Sequence, residues 1–530
     1  TRCLSDWSSD VCSSDLDLER FALCSSLMDE GKYGDALKQA EFIKNPGFRA
    51  SILVDAGFAL GKSGKVRQGT DLFEQLLNSE AGEAFERHSI LYNAANGYSS
   101  LYMLRRKRRN ATVPPNDSDL RLAKRYYRES IYEQQPLNGQ FASQVCVNYG
   151  NCLSHLGRFA EAIEFYHSGL KADPTNGMAA GNLGIELERC ARITGRYTHE
   201  YMALAHEMLS RALGDSMHFK FGSQQAIQSF KDHHENLTRF IQAHKTPVLI
   251  PEPAKPTGKS KAKKDYLQFC IKNSLFLNAW VGDPYLSPGI SDDISYGPIV
   301  TPVGDNYLVP ELLRILNEIK EAFATARYLF YLSQKDNSSL NDISKTTLYF
   351  GNSDYGINGL YTGICKTAYI RAFDILDKVA RTINVYFGIG KRKDYFWTMF
   401  AEKQSHGEEH AEWFAARPAI VITNNLFLFA LSDICIDYFE REQVDLTTID
   451  TRRNKITHDY LSIQLFHLAE DGDASVGLND FARQTLDVLQ LAKHAVLYSV
   501  SAVNLAEAQK EPGGKVGHIS YDQLPGQPFL

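Results

Sequence analysis

The feature that most constrains this chain is a helical period that runs from Asp17 to about Leu213. Ala, Leu, Tyr and Phe recur there at three- and four-residue spacings, with Gly between paired segments, so each helix must bury one stripe against a neighbour. The clearest unit is residues 143–176, "SQVCVNYGNCLSHLGRFAEAIEFYHSGLKADPTN". Its small residues let two antiparallel helices cross closely, while its aromatics fill the gap to the next pair. A unit of this kind cannot bury its apolar face alone, so about three or more must stack.

Residues 143–176 resemble a tetratricopeptide repeat. Tyr149-Gly150, Leu153, Leu156-Gly157, Ala162, Tyr166 and Pro174 fall at that motif's offsets, with Cys146 where a Trp is commonest. Weaker copies occupy Met28 to Ala40, Ala56 to Leu77 and Gly177 to Leu213. One more is split by "LRRKRRNATVPPNDSD", residues 104–119, and resumes at "LRLAKRYYRESI". We therefore expect a tetratricopeptide-like array over residues 17–244, offering a surface to a protein or peptide trigger. The opening "TRCLSDWSSDVCSSDL", residues 1–16, has neither the basic nor the apolar region of a signal peptide. It resembles translated adapter read-through and is set aside as a non-native segment, the true N-terminus being taken as missing.

Residues 245–264, "KTPVLIPEPAKPTGKSKAKK", switch to Pro, Lys and Gly without an apolar period and read as a linker. Beyond it, residues 265–345 read as an irregular and helical connecting region, ending in the helical "ELLRILNEIKEAFATARYLFYLS". Residues 346–510 then carry four amphipathic stretches: Leu360 to Phe387, Asn425 to Phe439, a motif at 451–460 continuing to about Leu468, and Asp480 to about Gln509. Four such stripes with modest connections suggest a helical bundle, so the fold class is all-α: a solenoid followed by a bundle. The tail, residues 511–530, reads as loosely ordered.

The net charge of −6 excludes wholesale electrostatic attachment to nucleic acid or an anionic membrane, so any RNA contact must be local. Nine scattered cysteines without a C-x-x-C pair point to a reducing cytoplasm. No apolar run reaches the roughly 18 residues of a membrane-spanning helix. No cofactor is expected.

The motif is "TRRNKITHDY". At about 100° per residue, Arg453, Asn454 and His458 fall within an arc of about 140°, while Ile449, Ile456, Tyr460 and Ile463 share the neighbouring arc. One side can pack while the other presents chemistry. Asn454 and His458, at i and i+4, are surface neighbours, so the amide can hold the imidazole or a phosphate. Arg offers a planar fork that matches a phosphate, and His can take a proton from a ribose 2′-hydroxyl or give one to a leaving oxygen. The spacing alone also fits an unremarkable surface pair.

The fuller string, Arg-Asn-x-x-x-His-x-Tyr on the third helix of a C-terminal four-helix bundle, resembles the HEPN domain family. The flanking "KTAYIRAFDILDKVARTINVYF" and "ARQTLDVLQLAKHAVLYSVSAVNLAEA" resemble helices of the HEPN branch that follows tetratricopeptide-like repeats. The resemblance implies a metal-independent endoribonuclease of toxin–antitoxin or antiviral defence systems, active as a homodimer through this domain. It implies that Arg453 polarises the scissile phosphate, His458 is the acid/base and Asn454 orients them. Tyr460 completes a form in which a partner antitoxin nucleotidyltransferase modifies the Tyr; its phase beside Ile456 and Ile463 suits plain packing better. Arg452 is an alternative anchor, one residue off register, and reads better as a solvated neighbour. Some members of the family only bind RNA or nucleotides, so a non-catalytic adaptor is the rival reading.

Three other strings carry candidate chemistry. "HGEEH", residues 406–410, satisfies an inverted zinc-peptidase pattern, with His406 and His410 as ligands and Glu409 as base, but its Gly and the nearby Pro418 suit a solvated connection better. Lys391, Arg392 and Lys393, followed by Tyr395, Phe396 and Trp397, could contact RNA by charge and stacking, or form a loop over buried aromatics. "RRKRR", residues 105–109, is a candidate RNA or partner patch, though an exposed basic loop suits it better.

Overall fold

The computed structural model describes residues 15–79, 82, 85–109, 117–134, 136–194, 196–219, 222, 224–243, 251–283, 286, 290–302, 308–335, 338–350, 355–390, 395–405, 412–439, 452–465, 475–510 and 516–519. The chain divides into two compact units, Thr1–Ala191 with His199–Ile250, and Arg192–Thr198 with Pro251–Leu530. Among the described residues no helix is long and apolar enough to cross a membrane.

The first unit is a solenoid of consecutive helices: α1 (Asp15–Asp29), α2 (Tyr33–Ala40), α3 (Pro46–Ala59), α4 (Ser63–Leu77), α5 (Arg87–Arg109), α6 (Ser118–Glu133), α7 (Gly139–His155), α8 (Phe159–Ala172), α9 (Gly177–Ile193), α10 (Thr198–Ala212) and α11 (Gln224–Ala243). Helices pack in sequence, α3 on α4, α5 on α6, α7 on α8, and each pair on the next. The repeat is written into the backbone at three turns. Gly31, Gly61 and Gly157 adopt φ of +77°, +68° and +82°, left-handed values that cost an L side chain dearly. After each, the next residue's N–H reaches back to close the helix: Lys32 to Leu27 at 2.8 Å, Lys62 to Gly57 at 2.8 Å, Arg158 to Leu153 at 2.9 Å.

Gly150 shows why the motif needs a small residue there: a Cβ on it would sit 2.6 Å from the Tyr166 ring of α8. Among α5, α6 and α7 a buried polar network accompanies the aromatic contacts of Tyr92 with Tyr127 and Phe141. Tyr127 of α6 donates to the Asn96 side-chain oxygen of α5 at 2.7 Å, and Asn148 of α7 donates to the Tyr92 hydroxyl at 2.8 Å and to Asn96 at 3.1 Å. The Asn96 oxygen thus accepts from both neighbouring helices, which fixes how α5, α6 and α7 meet. Residues 104–109 of the repeat insertion simply extend α5.

The second unit holds α12 (Lys261–Lys272), β1 (Ile299–Pro302), α13 (Leu308–Ser333), α14 (Ser338–Ser344), α15 (Leu360–Phe387), α16 (Phe396–Phe400), β2 (Ala401–Ser405), β3 (Glu412–Ala416), α17 (Pro418–Ile422), α18 (Leu426–Phe439), α19 (452–458), β4 (Ser462–Gln464), β5 (Ser475–Gly477), α20 (Leu478–Ala508) and β6 (Val516–Ile519). Its core is a helical bundle in which α13 and α20 flank α15, and α18 packs on α20. α15 stops at Gly388, whose φ of +64° lets its N–H bond the Asn384 carbonyl at 2.9 Å.

Arg327 of α13 ties the segment after α12 to this bundle. Its Nη1 and Nη2 donate to the two Asp292 oxygens at 2.8 and 2.7 Å, its Nε to the Tyr266 hydroxyl at 2.8 Å and its Nη1 also to the Leu275 carbonyl at 2.7 Å. A buried guanidinium is tolerable only with such complete pairing.

Two expectations fail here. The helix carrying the motif ends at 458 instead of continuing to about Leu468: the chain turns extended, and Leu461 and Ile463 bury at alternate positions, the spacing of a strand. The tail is not wholly loose either, since β6 pairs antiparallel with β1 from Ile299↔Ile519 to Pro302↔Val516.

Candidate functional site

α19 brings Arg453, Asn454 and His458 together on successive turns. Thr457 donates its hydroxyl to the Arg453 carbonyl at 2.8 Å, and the Asp459 N–H closes the last turn on the Lys455 carbonyl at 3.0 Å. A helix this short does not persist alone in water. α15 holds it at two points.

At the first point the Arg453 guanidinium lies over the Phe373 ring, its Cζ 5.0 Å from the ring centroid. A cation on the π face gains electrostatically and loses rotational freedom, so the fork is aimed before any ligand arrives. Phe373 is itself fixed, buried at 2 % exposure with its ring 5.7 Å from that of Trp397 on α16. α16 is pinned in turn, the Phe396 N–H donating to the Asp377 carboxylate at 3.0 Å and the Cys435 thiol to the Trp397 carbonyl at 3.3 Å.

At the second point the Lys366 ammonium donates to the Leu461 carbonyl at 2.7 Å, and burial lowers its affinity for a proton. Lys366 and Phe373 lie roughly 10 Å apart along α15 by helical rise. The stretch from Arg453 to Leu461 is therefore pinned near both ends and runs opposite to α15. β4 extends the anchorage, since the Ile357 N–H donates to the Ile463 carbonyl at 2.7 Å and β4 pairs parallel with β5.

Beside Phe373 stands Asp374. Burial pushes its carboxyl above the usual range, opposed by the positive charges of Arg371 and Arg453. Arg453 thus sits between an aromatic face and a half-buried acid, with Arg371 exposed close by on the same helix. Asn454 and His458 are exposed on α19, while Arg453 is half-buried. A fixed cation next to an exposed imidazole and amide is a set that can grip an oxyanion and move a proton beside it.

The other sequence candidates separate. Tyr460 is 67 % exposed, because the helix ends before it and its phase no longer points inward; a plain packing role is thereby corrected. Arg452 is half-buried, with its Nη1 shielded from solvent. Lys391, Arg392 and Lys393, and the string at 406–410 with His406, Glu409 and His410, lie outside the described residues. Of the aromatics beside the basic run, Phe396 is buried, Trp397 packs on Phe373, and Tyr395 is exposed.

Sequence reasoning missed Lys366, Phe373 and Asp374. Lys366 and Phe373 share one face of α15 with 370 and 377 by helical spacing, which marks a packed face without saying what it packs against; Asp374 lies off that face and carries no such signal.

Residues 305–506 match the family model described as LA2681-like HEPN, a span that takes in α13 through most of α20 and none of the repeats. No curated protein matches the chain.

Proposed function

The second unit of this chain contains a HEPN domain, and from that premise we propose that the protein is a metal-independent endoribonuclease regulated through its repeat array. The observation that carries this reading is the fixing of Arg453 on Phe373 while His458 and Asn454, on the same short helix, face solvent.

Arg453 would bind a non-bridging phosphate oxygen and stabilise the charge that grows there. His458 would remove the proton from the ribose 2′-hydroxyl, whose oxygen attacks the adjacent phosphorus. The bond to the 5′-oxygen breaks, that oxygen takes a proton, and the products are a 2′,3′-cyclic phosphate and a 5′-hydroxyl. One imidazole cannot be base and acid at the same instant, and a second copy of the domain would supply the other. Asn454 would orient the imidazole or the phosphate. A prokaryotic toxin or antiphage-defence setting, and modification of the exposed Tyr460 by a partner nucleotidyltransferase, follow from the family resemblance.

The test incubates the protein and its His458→Ala variant with mixed RNA in EDTA and analyses the fragment ends. Cyclic phosphates from the wild type alone support the nuclease. RNA binding without cleavage by either protein would instead favour the adaptor reading.

A further inference from the structure

We propose that Tyr355 and Tyr460 form a base-stacking subsite beside α19, in which two exposed rings hold unpaired nucleobases flanking the phosphate at Arg453 and set a preference for purines. The inference rests on the reading that α19 engages RNA, and adds the residues that choose the sequence.

The two rings belong to one continuous edge. Tyr460 follows His458 by two residues, and the chain then runs extended through β4. Gly356 bridges antiparallel to Gln464, and the Ile357 N–H donates to the Ile463 carbonyl at 2.7 Å. That register sets Tyr355 beside Leu465, and both are 62 % exposed. From Tyr460 to Leu465 the backbone covers at most about 17 Å, at roughly 3.3 Å per residue. A strand of a few nucleotides with its phosphate on Arg453 is long enough to reach both rings.

The backbone holds Tyr355 out at a cost. Its φ is +57°, a left-handed value that a bulky L residue rarely adopts, and it falls on the tyrosine although a glycine stands next to it at 356. Such strain persists only where the surroundings fix it. On one side the bridge does so, with Ile463 and Gln464 buried at 1 % exposure. On the other, the Leu360 N–H at the start of α15 donates to the Ser344 hydroxyl at 3.2 Å. Among the described residues neither Tyr355 nor Tyr460 lies against another ring, so each has π surface left for a base.

The neighbours decide the occupant. Leu348 and Phe350 are exposed as well, on the segment that leads to Tyr355, and purely apolar side chains suit a second copy of the chain. The tyrosines differ: they are hydroxyl-tipped rings bordering the stretch that carries Arg453, Asn454 and His458, where a nucleic acid brings its phosphate. Every base has a π face, and stacking on one ring is worth about five- to a hundredfold in affinity. A purine covers more of a ring than a pyrimidine does, so the subsite favours adenine over uracil.

The experiment measures fluorescence anisotropy of fluorescein-tagged 2′-O-methyl oligoadenylate and oligouridylate, each about 12 nucleotides long, with the full chain and with Tyr355→Ala, Tyr355→Leu and Tyr355→Phe. Methylation removes the attacking hydroxyl, so binding is read without cleavage. Circular dichroism checks folding and light scattering the oligomeric state; Tyr355 is exposed, so its variants should fold. Expected are tighter binding of oligoadenylate than of oligouridylate by the wild type, a loss of about fivefold or more with Ala or Leu that falls mainly on oligoadenylate, and retention with Phe. Tyr460→Ala should repeat the loss. No binding by the wild type, equal affinity for the two oligomers, or undiminished binding by folded Tyr355→Ala or Tyr355→Leu would overturn the proposal. So would a dimer that Tyr355→Ala splits into monomers, since the ring would then belong to a contact between copies. Oligoadenylate binding that depends on Tyr355 in a protein that cuts no RNA would support the subsite and sink the nuclease reading alone.

Discussion

At the residue scale, the candidate site turns on a guanidinium whose aim is set by a ring and an acid on another helix. Arg453→Lys keeps the charge but loses the planar fork and its seat on Phe373. Cleavage should fall by about ten- to a hundredfold, with the melting of the second unit little changed, as turnover and thermal unfolding would reveal. Arg453, Asn454 and His458 could be read from the chain because they are local and share one helical arc. Phe373, Asp374 and Lys366 could not, because their meaning depends on which helix comes to lie against them. Tyr460 was placed wrongly for a related reason: helical phase was carried two residues past the helix end.

At the scale of elements, length decided what was legible. α15 was readable from Leu360 to Phe387 because its stripe persists through many turns and Gly388 ends it. β1, β4, β5 and β6 each span only three or four residues, too little for alternation to stand out. Ile463 sits seven residues from Ile456, a spacing that a helix would also satisfy, so the chain's turn into β4 was hidden. Two changes probe the packing. Lys366→Met removes the donor to the Leu461 carbonyl; about 1 kcal/mol of stability should go, and cleavage should drop although Lys366 touches no substrate in the proposed scheme. Gly150→Val would drive side-chain atoms into Tyr166 and should cost roughly 1–3 kcal/mol, read as an earlier thermal transition of the solenoid.

At the scale of the whole molecule, two compact units mean that a single unfolding free energy is not defined, and each transition is best followed separately. His155 gives one of them a pH signature. Burial first, then the Arg106 and Arg189 guanidiniums, lower its ordinary value near 6.5 to about 4 in the fold, so the unfolded chain binds the proton more tightly. The solenoid's stability from this group is full above about 6.5 and is lost as pH falls toward 4. Thermal scans across that window should show the solenoid weakening, and His155→Gln should flatten the slope while leaving the second unit's transition unmoved. The two tethers of α19 carry a different consequence. Because both anchor points belong to α15, the short helix has its own local opening equilibrium nested inside the stability of the bundle. In the proposed scheme competence for cleavage then becomes a population, the fraction of molecules with α19 docked, and any event that shifts that fraction would act as a rheostat without altering the fold.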